Sequence, residues 1–197
     1  MKRGRETGFS IWLSTLIVLL AMGPGGVSEV SAEPDADSPG TVEFVGKNVF
    51  ATANGTFHDW RVVEQRVDPG ALAGSFVLVE ISLASVDTGS KRRDAHLRNE
   101  DFFEVERFPK ARVRVHSPRP LEPGESGRAR FSLRFDLDLH GVQKTLEGEA
   151  EVSGEDPLVF EGDLIVDRLD FGVGSAHSRW NPMSIRPEIP VHFRVEL

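Results

Sequence analysis

The 197-residue sequence contains no cysteine, so the fold must hold without disulfide bonds, and no thiolate nucleophile is present. It also has little positive charge: 23 lysines and arginines stand against 31 acidic residues, a net charge of −8. This balance argues against a nucleic-acid partner, whose phosphates require a basic surface. The composition, 39% hydrophobic and 27% charged, is otherwise that of a single soluble domain with one core.

Long apolar runs are scarce as well. The segment 9–22 has 14 residues, whereas a helix needs roughly 20 to span a bilayer, so an uncleaved membrane anchor is disfavoured. A cationic start (KRGR), this apolar segment, a GPGG break and the small residues VSA ending at Ala32 together predict a secretory signal peptide over 1–32. The mature protein would then be periplasmic or secreted, without a stable membrane span. Cleavage removes three cations and two anions, changing the net charge from −8 to −9.

Residues 33–40 (EPDADSPG) are predicted to be a polar linker into a domain that covers 41–197. Within that domain apolar and polar residues alternate, which is typical of half-buried antiparallel strands. The segment RARFSLRFDLDLHG shows this best, with Arg134, Asp136 and Asp138 on the solvent side. Its inward residues are Phe131, Leu133, Phe135, Leu137 and Leu139.

About eight strands with short turns are expected, and these can form a sandwich or close into a barrel. Residues 130–140 would extend roughly 36 Å at about 3.3 Å per residue, which favours an elongated barrel. Only one helix is predicted, from Lys91 to about Asn99. It would lie at one barrel mouth, with Leu97, Phe102 and Phe103 turned toward the lumen.

Three segments in combination carry a family resemblance: SVDTGSKRRDAHLRNEDFFEVERFPKARVRVHS, LHGVQKTLEGE and FEGDLIVDRLDFGVGS. They resemble the hallmarks of the YceI-like family of exported polyisoprenoid-binding proteins. The resemblance covers roughly 41–197. It implies an extended lipocalin-like barrel whose lumen takes an apolar lipid without catalysis. Together with the strand pattern, this predicts an all-β, eight-stranded antiparallel lipocalin-like barrel with one short helix at a mouth. The long last hairpin loop, GSAHSRWNPMSIRPEIP, departs from the family pattern and holds Trp180.

The lumen is predicted from the inward register of the strands. The side chains expected to line it are Phe44, Phe57, Trp60, Phe103, Val113, Val115, Phe131, Leu133, Phe135, Leu137, Phe160, Leu164 and Phe193. Gly148 and Gly162 share the inward register and are expected to leave gaps for a ligand. Arg93 and Arg98 are possible contacts for an anionic head group, although a solvated helix face is the favoured interpretation.

The candidate acids and bases do not converge. Asp94 and His96 are two residues apart on a helix and would not face each other, and most of the other candidates fall on outer faces or in loops. No Ser-His-Asp arrangement and no metal-ligand spacing is visible. The sequence therefore predicts a protein without catalysis, metal or cofactor, which carries or sequesters a long isoprenoid-like lipid.

The alternative is a ligand-free structural or partner-binding barrel, whose core is filled by its own phenylalanine and leucine side chains. The sequence leaves the oligomeric state open, because a barrel without free edges needs no partner.

Overall fold

The computed structural model describes residues 38–68, 72, 74–124, 127–176, 178, 180–181 and 183–197. The predicted signal peptide and most of the predicted linker lie outside these residues. The described end of the linker packs on the domain: Ser38 Oγ lies 2.8 Å from the carbonyl oxygen of His58 and 3.0 Å from that of Trp60. Within the described part of the chain, no helix combines the length and apolar character that crossing a membrane requires.

The described residues form ten strands and one α-helix, α1, which spans Lys91–Arg98. Short 3-10 turns occupy Leu83–Ser85 and Arg168–Phe171. The strands are β1 (Gly40–Lys47), β2 (Thr52–Phe57), β3 (Trp60–Arg66), β4 (Phe76–Ser82), β5 (Val86–Asp87), β6 (Lys110–Leu121), β7 (Ala129–Leu139), β8 (Val142–Ser153), β9 (Val159–Asp167) and β10 (Glu188–Glu196).

All ten strands belong to one antiparallel sheet, in the order β3-β4-β6-β7-β8-β9-β10-β1-β2-β5. Although β2 and β3 are consecutive in the chain, they lie toward opposite edges of this order. The two-residue link His58-Asp59 therefore joins the two edge regions and requires the sheet to curl. Backbone hydrogen bonds from Ser82 N to Asp59 O (2.9 Å) and from His58 N to Ser85 O (3.4 Å) connect the same regions.

The prediction of eight strands is wrong in number. The chain from 55 to 64 is divided into β2 and β3 at His58-Asp59, and the two-residue β5 follows β4 as a separate strand. Barrel closure by strand pairing is also not seen, since no ladder joins the edge strands β3 and β5 among the described residues. The chain crossings at 58–59 and 83–85 link the edges instead, so the fold is a curled antiparallel sheet with one helix.

The alternation of buried and exposed residues in β7 is confirmed. Leu133, Phe135 and Leu137 are buried, whereas Arg134 and Asp136 between them are exposed. Phe135 packs edge-on against Phe193 of β10, with ring centroids 5.6 Å apart. This apolar side of the sheet forms the core, because burying it removes the alternate side chains of all the long strands from water.

The prediction that Gly148 and Gly162 leave gaps in the lumen is wrong. A Cβ atom at Gly148 would lie 2.7 Å from the carbonyl oxygen of Asp163 and 3.0 Å from the Phe135 ring. At Gly162 it would lie 2.1 Å from the carbonyl oxygen of Glu149. The missing side chains therefore allow close approach of β8 and β9, and leave no room for a ligand.

Glu80 is a buried carboxylate on the side of β4 that faces away from the core. It is 7% exposed, and three cationic side chains reach it: Lys110 at 2.7 Å, Arg61 at 2.8 Å and Arg112 at 3.1 Å. The hydrogen bond from Lys110 is the main cause that lowers the pKa of Glu80 below its ordinary value of 4.5, against the opposing effect of burial. The cluster joins β3, β4 and β6 on their outer face.

Glu80→Gln is expected to lower the free energy of unfolding at pH 7 by about 1–2 kcal/mol, since the three cations lose their carboxylate partner. Because the folded-state pKa is depressed, this contribution is present above the ordinary pKa and is lost as the pH falls through the folded-state value. Urea unfolding of both proteins from pH 7 down to about pH 3 measures the difference, with the exposed Glu64→Gln as control. A difference that persists unchanged in acid would contradict this role.

Candidate ligand-binding cavity

An apolar cavity of about 240 Å³ lies inside the curled sheet. Its wall takes every second residue from the long strands, for example 77, 79 and 81 of β4 and 111, 113 and 115 of β6. These positions face one another in register, since Val77 pairs with Val115, Val79 with Val113 and Ile81 with Ala111. β8 contributes no side chain to the wall, because its inward positions include Gly148 and Ala150.

Twelve of the thirteen side chains predicted for the lumen line this cavity: Phe44, Phe57, Trp60, Phe103, Val113, Val115, Leu133, Phe135, Leu137, Phe160, Leu164 and Phe193. The exception is Phe131, which lines a smaller cavity of about 40 Å³ with Phe76 and Val152. The pairing of β6 with β7 shifts register between His116 and Arg119, so Phe131 lies beyond the irregularity, opposite Pro120. Alternation alone could not locate that shift.

Residues of α1 and of the turn that follows it also reach the cavity, as predicted. Leu97, Phe102 and Phe103 all line it. The Phe103 ring lies 5.9 Å from that of Phe57, which lies 5.4 Å from Phe44. This row of three rings links the helix segment to β2 and β1, and it forms one side of the apolar wall.

The helix itself is anchored by a buried acid. Asp94 is 6% exposed, and its Oδ1 accepts hydrogen bonds from the backbone N–H (2.9 Å) and the hydroxyl of Thr88, next to β5. Arg93 donates to the hydroxyl and carbonyl oxygens of Thr88, both at 2.8 Å. Arg98 donates to the carbonyl oxygens of Ala84 (2.8 Å) and Val86 (2.9 Å).

Neither Arg93 nor Arg98, the two arginines predicted as possible head-group contacts, lines the cavity. The guanidinium group of Arg98 instead holds α1 against the connection between β4 and β5, and that of Arg93 holds it against Thr88, just after β5. A head-group role for them stays a prediction without geometric support. Among the residues that the structure describes, the charged side chain that lines the cavity is Arg168, which follows β9.

Arg168 is 6% exposed, and carbonyl oxygens surround its guanidinium group. Nη1 donates to Val173 (2.7 Å) and Ser175 (2.9 Å), Nη2 to Ile185 (2.8 Å) and Nε to Arg186 (3.2 Å). These bonds use four of the five N–H groups that an arginine carries. Burial lowers the pKa of Arg168, and the charge of the neighbouring Asp167 opposes this effect.

Four of the wall residues that sequence reasoning missed lie outside the strands: Leu83, Arg168, Val173 and Ile185. All four lie in 3-10 turns or in the loop between β9 and β10. Period-two alternation makes no prediction for such segments, because their side-chain direction depends on tertiary contacts.

The chemistry available in the wall is limited. The histidine–carboxylate pairs His58–Asp87 (3.2 Å), His116–Asp136 (2.9 Å) and His192–Asp163 (3.0 Å) lie outside it. No cluster of three or more histidine or acidic residues suited to a metal ion occurs in the part of the chain that the structure describes. The described wall can therefore desolvate an apolar molecule but presents no carboxylate or imidazole to it.

Three comparisons relate the chain to known proteins. The sequence model of the YceI-like domain matches residues 35–197. A UPF0312 protein of Photorhabdus laumondii subsp. laumondii is 33% identical over 132 residues, 65% of each chain. A UPF0312 protein of Vibrio cholerae is 29% identical over 113 residues, 54% of this chain and 57% of that protein. The chain thus spans roughly three fifths of the length of these two curated relatives.

Two solved structures have a similar fold. The Burkholderia cenocepacia protein BcnA aligns with a TM-score of 0.70 and 21% identity, over 80% of this chain and 96% of that one. A polyisoprenoid-binding domain from Saccharophagus degradans, implicated in plant cell wall breakdown, aligns with a TM-score of 0.60 and 17% identity. That alignment covers 81% of this chain and 94% of the domain.

Proposed function

We propose that this chain, which belongs to the YceI-like family, binds a long, mainly hydrocarbon lipid of isoprenoid type and performs no chemistry on it. The observation that carries the proposal is the cavity inside the sheet, whose described wall residues are apolar apart from Arg168. Transfer of a hydrocarbon chain from water into such a wall is favourable by about 25 cal/mol per Å² of apolar surface. The fold shared with a polyisoprenoid-binding domain supports the same ligand class.

The cavity is small for a long ligand. Its 240 Å³ falls below the roughly 300–1,000 Å³ that is usual for small-molecule sites. A long hydrocarbon ligand therefore requires side chains of the wall to move. The partly exposed rings of Phe57 and Phe103 are well placed to do so. Ordering the ligand and these rings reduces the affinity that burial alone would give.

Mass spectrometry of an organic extract of natively purified protein is the direct test. We expect a stoichiometric lipid in the wild-type extract, and little in the double variant Val113→Phe, Val115→Phe, whose added rings fill the cavity. The double variant Val63→Phe, Ile165→Phe is the control, because both positions are about half exposed on strands outside the wall. It should retain the lipid. A wild-type extract without lipid would overturn the proposal and favour the ligand-free barrel.

The proposal includes a periplasmic or secreted location, which rests on the layout of residues 1–32. The intact mass of the same preparation checks this part, because cleavage after Ala32 leaves a chain that begins at Glu33. Full-length chain in the membrane fraction would contradict it.

A further inference from the structure

Four large apolar side chains with high exposure lie on two loops: Val49 (69%) and Phe50 (72%) between β1 and β2, and Trp180 (84%) and Met183 (63%) between β9 and β10. We refer to these four residues as the apolar rim. The other exposed large apolar side chains of the described residues occur singly, on or at the ends of different strands: Val63, Leu121, Val142 and Ile165. Clustered apolar exposure of this kind marks a contact surface, whereas single exposed residues do not.

Hydrogen bonds hold the two loops together. The backbone N–H of Arg186 donates to the carbonyl oxygen of Lys47 (2.8 Å), and Asn48 Nδ2 lies 3.5 Å from the carbonyl oxygen of Met183. Asn48 Oδ1 also accepts from the backbone N–H groups of Phe50 and Ala51, both at 2.8 Å. One side chain therefore fixes the first turn and contacts the second loop, so the rim is one surface.

The rim continues into the cavity wall. Gly46 and Ile185 both line the cavity, and they immediately precede Lys47 and Arg186, whose backbones are hydrogen-bonded. Val49 follows Gly46 by three residues and Met183 precedes Ile185 by two, so both loops connect the rim directly to the apolar wall. This continuity distinguishes the rim from the scattered apolar residues elsewhere.

We propose that the apolar rim docks on a phospholipid bilayer, where a lipid ligand passes between the membrane and the cavity. This inference rests on the proposed lipid-binding function. Exposed tryptophan and phenylalanine are suited to the membrane interface, where an apolar ring meets acyl chains beside hydrated head groups. Lys47 and Arg186, both exposed at the base of the rim, can pair with lipid phosphates, with Glu188 as the nearby opposing charge.

A protein partner fits the rim less well. A stable protein interface takes roughly 20–30 residues on each side, and the rim offers four. The net charge of −8 gives no general attraction to anionic membranes, so binding must depend on insertion of the apolar side chains.

Vesicle binding tests the proposal. Vesicles of phosphatidylcholine mixed with phosphatidylglycerol should shift the tryptophan emission of the wild-type protein to shorter wavelength, and the shift should be lost in Trp180→Phe. The triple variant Phe50→Ser, Trp180→Ser, Met183→Ser should lose at least about tenfold in vesicle co-sedimentation. The matched control is Val63→Ser, Leu121→Ser, Ile165→Ser, which removes three exposed apolar side chains elsewhere and should bind like the wild type. All these proteins share the same N-terminal segment, so its contribution to binding cancels.

The outcomes separate the two proposals. Wild-type protein that yields lipid on extraction but does not bind vesicles overturns the docking proposal alone. Vesicle binding that depends on the rim, in protein whose extract is empty, supports docking and overturns the lipid-binding function. Equal loss of binding in the rim variant and its control overturns docking. If the wild-type protein does not bind vesicles and the rim variant changes its oligomeric state on size exclusion, the rim is a protein interface. This result also overturns the docking proposal.

Discussion

Phe135→Asp is expected to prevent folding, with the protein insoluble or without a cooperative unfolding transition. The ring of Phe135 is 2% exposed, lines the cavity and packs on Phe193. Removing a buried phenylalanine costs about 3–5 kcal/mol, and an unpaired carboxylate in the same apolar site adds several more. Together these approach or exceed the roughly 5–15 kcal/mol that stabilises a typical domain. Circular dichroism and urea unfolding measure the result.

A graded variant and a surface control complete this test. Phe135→Leu should fold with a loss of about 1–3 kcal/mol, because it leaves a smaller cavity and no charge. Arg134→Ser, one residue away on the exposed side of β7, should change stability by less than about 0.5 kcal/mol. If Phe135→Asp folded as well as Arg134→Ser, the inward position of Phe135 would be disproved.

Arg168→Met is expected to cost at least about 3 kcal/mol and to open the loop between β9 and β10 to proteolysis. Methionine is of similar length but has no donor, so four carbonyl oxygens at residues 173, 175, 185 and 186 lose their partner. Each buried acceptor left unpaired costs about 1–3 kcal/mol, reduced where water can reach it. Arg168→Lys should recover only part of the loss, because a single ammonium group lacks the planar fork that reaches all four oxygens.

The exposed Arg119→Met on β6 is the control for loss of a positive charge and should be close to neutral. Urea unfolding gives the change in stability, and limited proteolysis reports on the loop. If Arg168→Met were as stable and as protease-resistant as Arg119→Met, the guanidinium group would not hold the loop. Loss of lipid without loss of stability would instead assign Arg168 to ligand contact.

The alternating pattern of the sequence determined which side chains point inward. In β7 it identified Leu133, Phe135 and Leu137 correctly, because successive side chains of a strand must point to opposite faces. Twelve of the thirteen predicted residues line the cavity wall, and all of these except Phe103 belong to strands. Helix α1 was also predicted within one residue at its end, because its polar segment is followed after three residues by the partly buried pair Phe102-Phe103.

Contacts between distant segments determine which partners a surface side chain has, and Asp136 is an example. Alternation predicts Asp136 as an inert surface residue, yet Thr145 of β8 donates to it at 2.6 Å and His116 of β6 lies 2.9 Å away. The Thr145 hydrogen bond is the main cause that lowers the pKa of Asp136. Asp136→Ser therefore removes specific interactions, which is why Arg134→Ser is the better surface control.

The sequence by itself determined most of the long strands, their inward faces and the resemblance to a family, although not the number of strands. Only the tertiary structure decided the fit of β8 against β9 at Gly148, the carbonyl shell of Arg168 and the apolar rim. Asn48 and Met183, which meet in the rim, are 135 residues apart in the chain. Such long-range contacts follow from the curl and strand order of the whole sheet. A local sequence pattern does not predict which distant loops the sheet brings together.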